Sequence, residues 1–224
     1  MSLEKIYVVR HGFRTSWSVD HLTGTYSSSI PSPTGIPVDP ALTAHGVEQA
    51  GELALHLARL DPPVGVVYSS PYYRCLQTIA PFARLAAEVE QPQPELQPEP
   101  EAEEGRQGRR QGAAARIRPE HGLCEWFGAA PFAHPGPAPP EVLRAMFPAW
   151  DDSYQTLARP PARGETMAQL RRRVEDTVAG IVARCDADGA RSAVLCTHAA
   201  VVIMLGRQQL QGTQTSTSTP SPAA

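Results

Sequence analysis

The chain has 224 residues, 42% of them hydrophobic and 19% charged, enough for one substantial core that buries roughly 70% of the surface the unfolded chain exposes. A net charge of −3 gives no broad basic surface for direct nucleic-acid contact or for a membrane face. No apolar run approaches the roughly 20 residues of a membrane span, and the first is too short for a signal-peptide core, so an intracellular chain, cytoplasmic or nuclear, is expected.

In chain order, Ile6-Tyr7-Val8-Val9 is a strand-length apolar run closed by Arg10-His11-Gly12. Gly24 to Pro40 is rich in Ser, Pro and Gly and reads as a surface loop. Thr43 is a candidate N-cap for a helix in which Val47, Ala50, Leu53, Ala54, Leu57 and Leu60 recur at helical spacing. Pro62-Pro63 stops that helix, Val64 to Tyr68 is a short buried strand, and Ser69-Ser70-Pro71 opens the next helix with proline in its first turn. Strand-length apolar runs alternating with helices predict a mostly parallel central sheet covered on both faces, an α/β/α three-layer sandwich.

Residues 88 to 115 break the pattern. Glu, Gln, Pro, Gly and Arg dominate and apolar residues are scarce, so the segment cannot offset its ordering entropy and is expected to be a disordered insertion. Its basic end, Arg106, Arg109 and Arg110, offers a contact for a protein partner, though a solvated linker is the reading its composition favours. Structure resumes at Ile117. A proline-rich loop from Pro131 to Pro140 leads to a short helix near Val142 to Phe147. The longest helix spans Gly164 to Cys185, with Met167, Leu170, Val174, Val178, Ile181 and Val182 as its core stripe. Ala193 to Cys196 is the last strand, ending near His198, and a short helix follows. The expectation is one domain over residues 1–212, interrupted by the insertion, with a disordered Ser/Thr/Pro tail over 213–224.

The chemistry gathers at strand ends. His11 and His198 each follow an apolar run at the presumed carboxyl edge of the sheet, where open α/β sheets bind ligands. Arg10 and Arg14 flank the first histidine, and Arg74 lies in the first turn of a helix whose N–H groups and dipole favour an anion. Histidines and arginines so placed point to phosphate chemistry. His21, His45, His56, His121 and His134 carry no such positional argument. Cys185 and Arg191 have the Cys-x5-Arg spacing of cysteine-dependent phosphatases, but the order here is helix to strand, and Asp186 and Asp188 repel an anion. The four cysteines show no metal-ligand spacing and read as reduced, buried thiols.

Arg10-His11-Gly12, the stretch from Leu42 to Ala50, Ser69-Ser70-Pro71 with Arg74 to Thr78, Gly122 to Trp126 and Thr197-His198-Ala199 occur in an order that resembles the histidine phosphatase (phosphoglycerate mutase-like) superfamily. The resemblance implies that fold, and a phosphomonoesterase of the histidine acid phosphatase kind that uses neither metal nor cofactor. It implies His11 as the nucleophile that becomes phosphohistidine, Arg10, Arg74 and His198 as the phosphate pocket, and Glu125 as proton donor to the leaving oxygen. Arg14 matches an extra pocket arginine of the Arg-His-Gly-x-Arg branch, which is similar to phosphatases that suppress T-cell receptor signalling. That branch implies a phosphorylated small molecule or phosphoprotein as substrate. The same branch is similar to a histidine phosphatase-like subunit of fungal transcription factor TFIIIC, which implies a binding or assembly domain with little turnover as the alternative. Mutase members carry a small hydroxyl residue where Arg14 stands, which argues against phosphoglycerate mutase-type transfer. Family members also continue after the last histidine into a further strand, where this chain has Gly212 and a Ser/Thr/Pro tail.

Overall fold

A computed structural model describes residues 2–90 and 115–215. Strand β1 is Lys5–Arg10, and a hairpin of β2 (Trp17–Asp20) and β3 (Thr25–Ser28) follows. Then come α1 (Ala44–Leu57), β4 (Val66–Ser69), α2 (Tyr73–Glu90), β5 (Ile117–Pro119), a 3-10 turn at His121–Leu123, α3 (Pro140–Met146), α4 (Met167–Asp188), β6 (Ser192–Thr197) and α5 (Ala199–Thr215). The main sheet has the order β1-β6-β4-β5, every pair parallel. The expected α/β architecture with a mostly parallel sheet is what forms.

Alternation along the central strands makes the layers. Val67, Val194 and Cys196 face one core, shared with Ala54 and Leu57 of α1 and with Leu76 and Ile79 of α2. Val66, Tyr68, Ala193 and Leu195 face the other, packed on Leu170, Val174 and Ile181 of α4 and on Val201 and Met204 of α5. Successive strand residues point to opposite faces, so strands buried on both sides read as continuous apolar runs.

Register then sets the functional edge. Arg10 pairs with Thr197, and Ser69 with both Cys196 and Pro119. His11, His198, Ser70 and Glu120 therefore all leave the sheet at one end.

Some expectations need correction. The segment read as a loop from Gly24 to Pro40 contains β3, paired with β2; its Thr25-Tyr26-Ser27-Ser28 is too short and polar to show a strand pattern. In α1 the buried row is Gly46, Ala50, Ala54 and Leu57, while Val47 is 48% exposed. In α4, Met167 is exposed and Arg173 and Thr177 lie buried, so the stripe is not purely apolar. Helix α5 runs to Thr215, past the start of the expected tail; the rest of that tail, and residues 91–114 of the expected insertion, lie outside the described residues. Residues 88–90 belong to α2. Among the described residues no strand follows β6, and β1 is an outer strand of the sheet.

Thr43 caps α1 as expected, its side chain accepting from the Gly46 N–H at 3.2 Å. Gly46 matters for a second reason: a Cβ there would lie 2.0 Å from the Phe13 carbonyl oxygen, and one at Gly12 would lie 2.8 Å from the Gly46 oxygen. The loop after β1 thus rests directly on the backbone of α1. Gly46→Ala should lower stability by about 1–3 kcal/mol in urea unfolding, because neither backbone can yield cheaply. Gly51→Ala, on the exposed face of the same helix with open space around it, should raise stability by about 0.5–1 kcal/mol.

Candidate active site

His11 leaves β1 with its backbone N–H bonded to the Thr197 oxygen at 2.9 Å. Its Nδ1 lies 2.8 Å from the Gly12 carbonyl oxygen, which can only accept, so Nδ1 carries the proton and Nε2 keeps its lone pair. Burial, then the neighbouring His198 and Arg74, push the ring down to about 3. At neutral pH the His11 ring is uncharged and its orientation is fixed by the Gly12 carbonyl. Its ring meets that of His198 at 5.4 Å between centroids.

Arg74, in the first turn of α2, is fully buried. One end of the guanidinium donates through Nη1 to the Val38 oxygen (3.1 Å) and to Asp39 Oδ1 (3.4 Å). The other end, Nη2, is 3.0 Å from His198 Nδ1 and 3.3 Å from Glu125 Oε2. Its Nε has no acceptor among the described residues. A buried donor left unpaired costs about 1–3 kcal/mol, and a phosphoryl oxygen is an acceptor that would satisfy it. Burial raises Asp39 to about 6 in spite of Arg74, so at neutral pH it is still mostly ionised and balances the guanidinium on that side.

His198 is also fully buried, its Nε2 held by Ser70 Oγ at 2.9 Å and its Nδ1 lying 3.0 Å from Arg74 Nη2 and 3.3 Å from Glu125 Oε2. Burial opposes a charged ring here, but the contacts with Cys75 and Glu125 outweigh it and raise the pKa. Burial likewise works to raise Glu125, yet His198 and Arg74 overcome it and hold the carboxyl well below the usual range. Without an anion in the pocket, Glu125 is therefore ionised.

The segment carrying Glu125 is braced from behind. Glu120, fully buried, accepts from Gly122 N, Tyr154 Oη, Thr156 Oγ1 and Leu157 N, and so fixes the 3-10 turn. Thr197 Oγ1 donates to the Leu123 oxygen at 2.6 Å. Arg173 of α4 donates to the Gly122 oxygen at 2.6 Å and the Cys124 oxygen at 3.1 Å while paired with buried Glu165.

Arg14 is half-buried, its guanidinium 5.6 Å from the Trp17 ring, and it senses the charges of Arg74, Glu125 and Arg10. Arg10 is exposed at the end of β1 and makes no side-chain hydrogen bond among the described residues. The structure thus brings His11, Arg74, Glu125 and His198 into one buried cluster, with Arg14 beside it and Arg10 at its margin. Sequence reasoning missed Asp39, Ser70 and Thr78 as supports, the last binding the Gly12 N–H at 3.0 Å. It also missed Arg173, which the Arg171-Arg172-Arg173 run disguises as a solvated face. Its helical phase beside Leu170, Val174 and Thr177 was the available signal. Cys185 lies within α4 and Arg191 pairs with Glu4, which disposes of the Cys-x5-Arg spacing.

Donor atoms of His11, Glu125 and His198 all lie within 4.8 Å of one another, close enough to share a metal ion. Arg74, at hydrogen-bond distance from two of them, opposes a cation with its own charge. The arrangement suits an anion that takes donors from Arg74 and leaves one face to His11.

Known proteins resemble this chain. The profile of the Histidine phosphatase superfamily (branch 1) matches residues 6–138 and 109–219. The transcription factor tau 55 kDa subunit of Saccharomyces cerevisiae is 31% identical over 215 residues, 94% of this chain. The chain spans 42% of that relative's length. The ecdysone phosphate phosphatase of Bombyx mori, solved with tungstate, superposes with a TM-score of 0.61 at 20% identity, over 98% of this chain and 82% of its own. Phosphoglycerate mutase of Bacillus anthracis gives 0.52 at 15% identity, over 92% and 80%. At these identities the structural likeness shows the fold.

The brace predicts a measurable asymmetry. Arg173→Met leaves Glu165 charged and buried, and should cost about 3–5 kcal/mol in urea unfolding. Combining it with Glu165→Leu should recover much of that loss, because the orphaned charge goes too.

Proposed function

Because the chain belongs to the histidine phosphatase superfamily (branch 1), we propose that it hydrolyses phosphate monoesters through a phosphohistidine on His11, without a metal or other cofactor. The observation that carries this reading is the parallel register that sets uncharged His11 beside His198, with buried Arg74 and Glu125 closing the pocket. Nε2 of His11 attacks phosphorus as the bond to the ester oxygen breaks. Arg74 and Arg14 neutralise the phosphoryl oxygens, their forked N–H groups matching that geometry. The leaving oxygen takes a proton from Glu125. Water then attacks the phosphohistidine, Glu125 accepts its proton, and inorganic phosphate departs with His11 restored.

The low pKa of Glu125 constrains this scheme. The carboxyl gains its proton as substrate binds, when phosphoryl charge offsets the influence of His198 and Arg74. The substrate is a phosphorylated small molecule or a phosphoprotein. Trp17 and Tyr26, with rings 5.5 Å apart, and Phe127, 6.1 Å from Trp17, stand near Arg14 and suit an apolar or aromatic leaving group.

A second reading rests on the likeness to the transcription factor tau 55 kDa subunit: an assembly domain in a nuclear protein complex, with the pocket kept and turnover slight. Among the described residues no helix is long and apolar enough to cross a membrane, in keeping with either reading.

Hydrolysis of p-nitrophenyl phosphate in EDTA should proceed and should vanish in His11→Ala with the fold intact by circular dichroism. A folded protein that binds a partner stably and never turns over substrate would favour the assembly reading. Since His11 stays uncharged down to about 3, activity should persist from pH 7 to pH 4. An acidic limb near pH 6.5 would contradict a buried neutral nucleophile. Glu125→Gln should slow an alkyl phosphate far more than p-nitrophenyl phosphate, whose leaving group scarcely needs a proton. Equal losses on both would remove Glu125 from the acid role.

A further inference from the structure

A cavity of about 460 Å³ adjoins the active site, and the Tyr72 ring stands between the two. Tyr72 lies 4.7 Å from the Arg74 guanidinium and 5.4 Å from the His198 ring, and it also lines the cavity. None of His11, Arg14, Arg74, Glu125 and His198 lines it, so it is separate from the phosphate pocket. Its volume falls within the roughly 300–1,000 Å³ of organic-ligand sites.

The cavity is built to stay open. Prolines from three segments, around Pro71, Pro135 to Pro140 and Pro160-Pro161, form much of its wall with φ fixed by their rings. Hydrogen bonds tie the segments together: Tyr72 Oη donates to the Pro135 oxygen (2.8 Å), and His134 N to the Ala162 oxygen (2.7 Å). The His134 ring stacks on Phe127 at 4.9 Å and 15°. A preformed wall spends little of a ligand's binding energy on ordering.

Its chemistry is one-sided. Tyr72, Phe127 and Trp150 supply aromatic surface. Arg159 places Nη1 3.0 Å from both ring nitrogens of His121 and has no ion-pair partner among the described residues. Burial, then Arg159 itself, push His121 down to about 4, so that ring adds no second charge at neutral pH. The acidic side chain that lines the cavity, Glu165, is taken up by Arg173. We propose that this cavity binds an aromatic organic anion, its ring against Tyr72, Phe127 and Trp150 and its acid group on Arg159. The occupant would press on the ring that packs against Arg74 and His198.

The probe is 1-anilinonaphthalene-8-sulfonate, an aromatic anion, beside its uncharged twin N-phenyl-1-naphthylamine, each titrated by fluorescence into the full chain. The sulfonate should bind saturably and should not be displaced by inorganic phosphate. Arg159→Glu should weaken the sulfonate about tenfold or more while leaving the uncharged twin and the thermal midpoint unchanged. Gly136→Phe should weaken both probes, since Gly136 lines the cavity and a Cβ there meets nothing within 4 Å. Absence of saturable binding, displacement by phosphate, or equal sulfonate affinity in Arg159→Glu would overturn the assignment. None of these outcomes depends on whether the protein hydrolyses phosphate esters.

Discussion

The structure turns on one buried guanidinium. Arg74 has no solvent to hold it, so everything around it is arranged to do so: Val38 and Asp39 on one side, His198 and Glu125 on the other. Removing such a group from water costs several kcal/mol, and the partners compensate only in part, with Nε left unpaired and burial pulling Asp39 toward its neutral form. A core evolved for stability alone would place a hydrophobic side chain here. The retained charge makes sense as a fixed donor set waiting for an anion, with its reorganisation already done.

The same logic explains the depth of the supporting layers. His198 is oriented by Ser70, and the Glu125 segment by Glu120, Thr197 and Arg173. These groups lie at the carboxyl ends of parallel strands or on helices packed against them, so the cluster inherits the rigidity of the sheet. The loop bearing His11 is held by contact between glycine backbones, where a single added methyl group would force it away.

Much of this was legible in the sequence, and for identifiable reasons. Apolar runs at Ile6 to Val9 and Ala193 to Cys196 located β1 and β6, and the residues that follow them gave both histidines. Thr43 and the spacing of Ala50, Ala54 and Leu57 located α1. What stayed hidden depends on contacts between segments far apart in the chain. Asp39 looks like any loop aspartate until α2 brings Arg74 onto it. Arg173 sits in a run of three arginines, two of which are exposed, and only packing against the Glu125 segment separates the third. The hairpin of β2 and β3 escaped notice because its strands are short and mostly polar. Charge states were the least legible: the resemblance casts Glu125 as an acid, whereas His198 and Arg74 hold its carboxyl well below the usual range.

The proposed mechanism makes His11 a nucleophile and not merely a phosphate ligand. Rapid mixing with p-nitrophenyl phosphate followed by an alkaline quench, which preserves phosphohistidine, and peptide mass spectrometry would read it directly. A phosphohistidine mechanism predicts a phosphoryl group on the peptide containing His11, present in the wild type, absent in His11→Ala, and longer-lived in Glu125→Gln, where water is no longer activated. Turnover with no phosphorylated His11 at any quench time, or the phosphoryl group on another side chain, would contradict it.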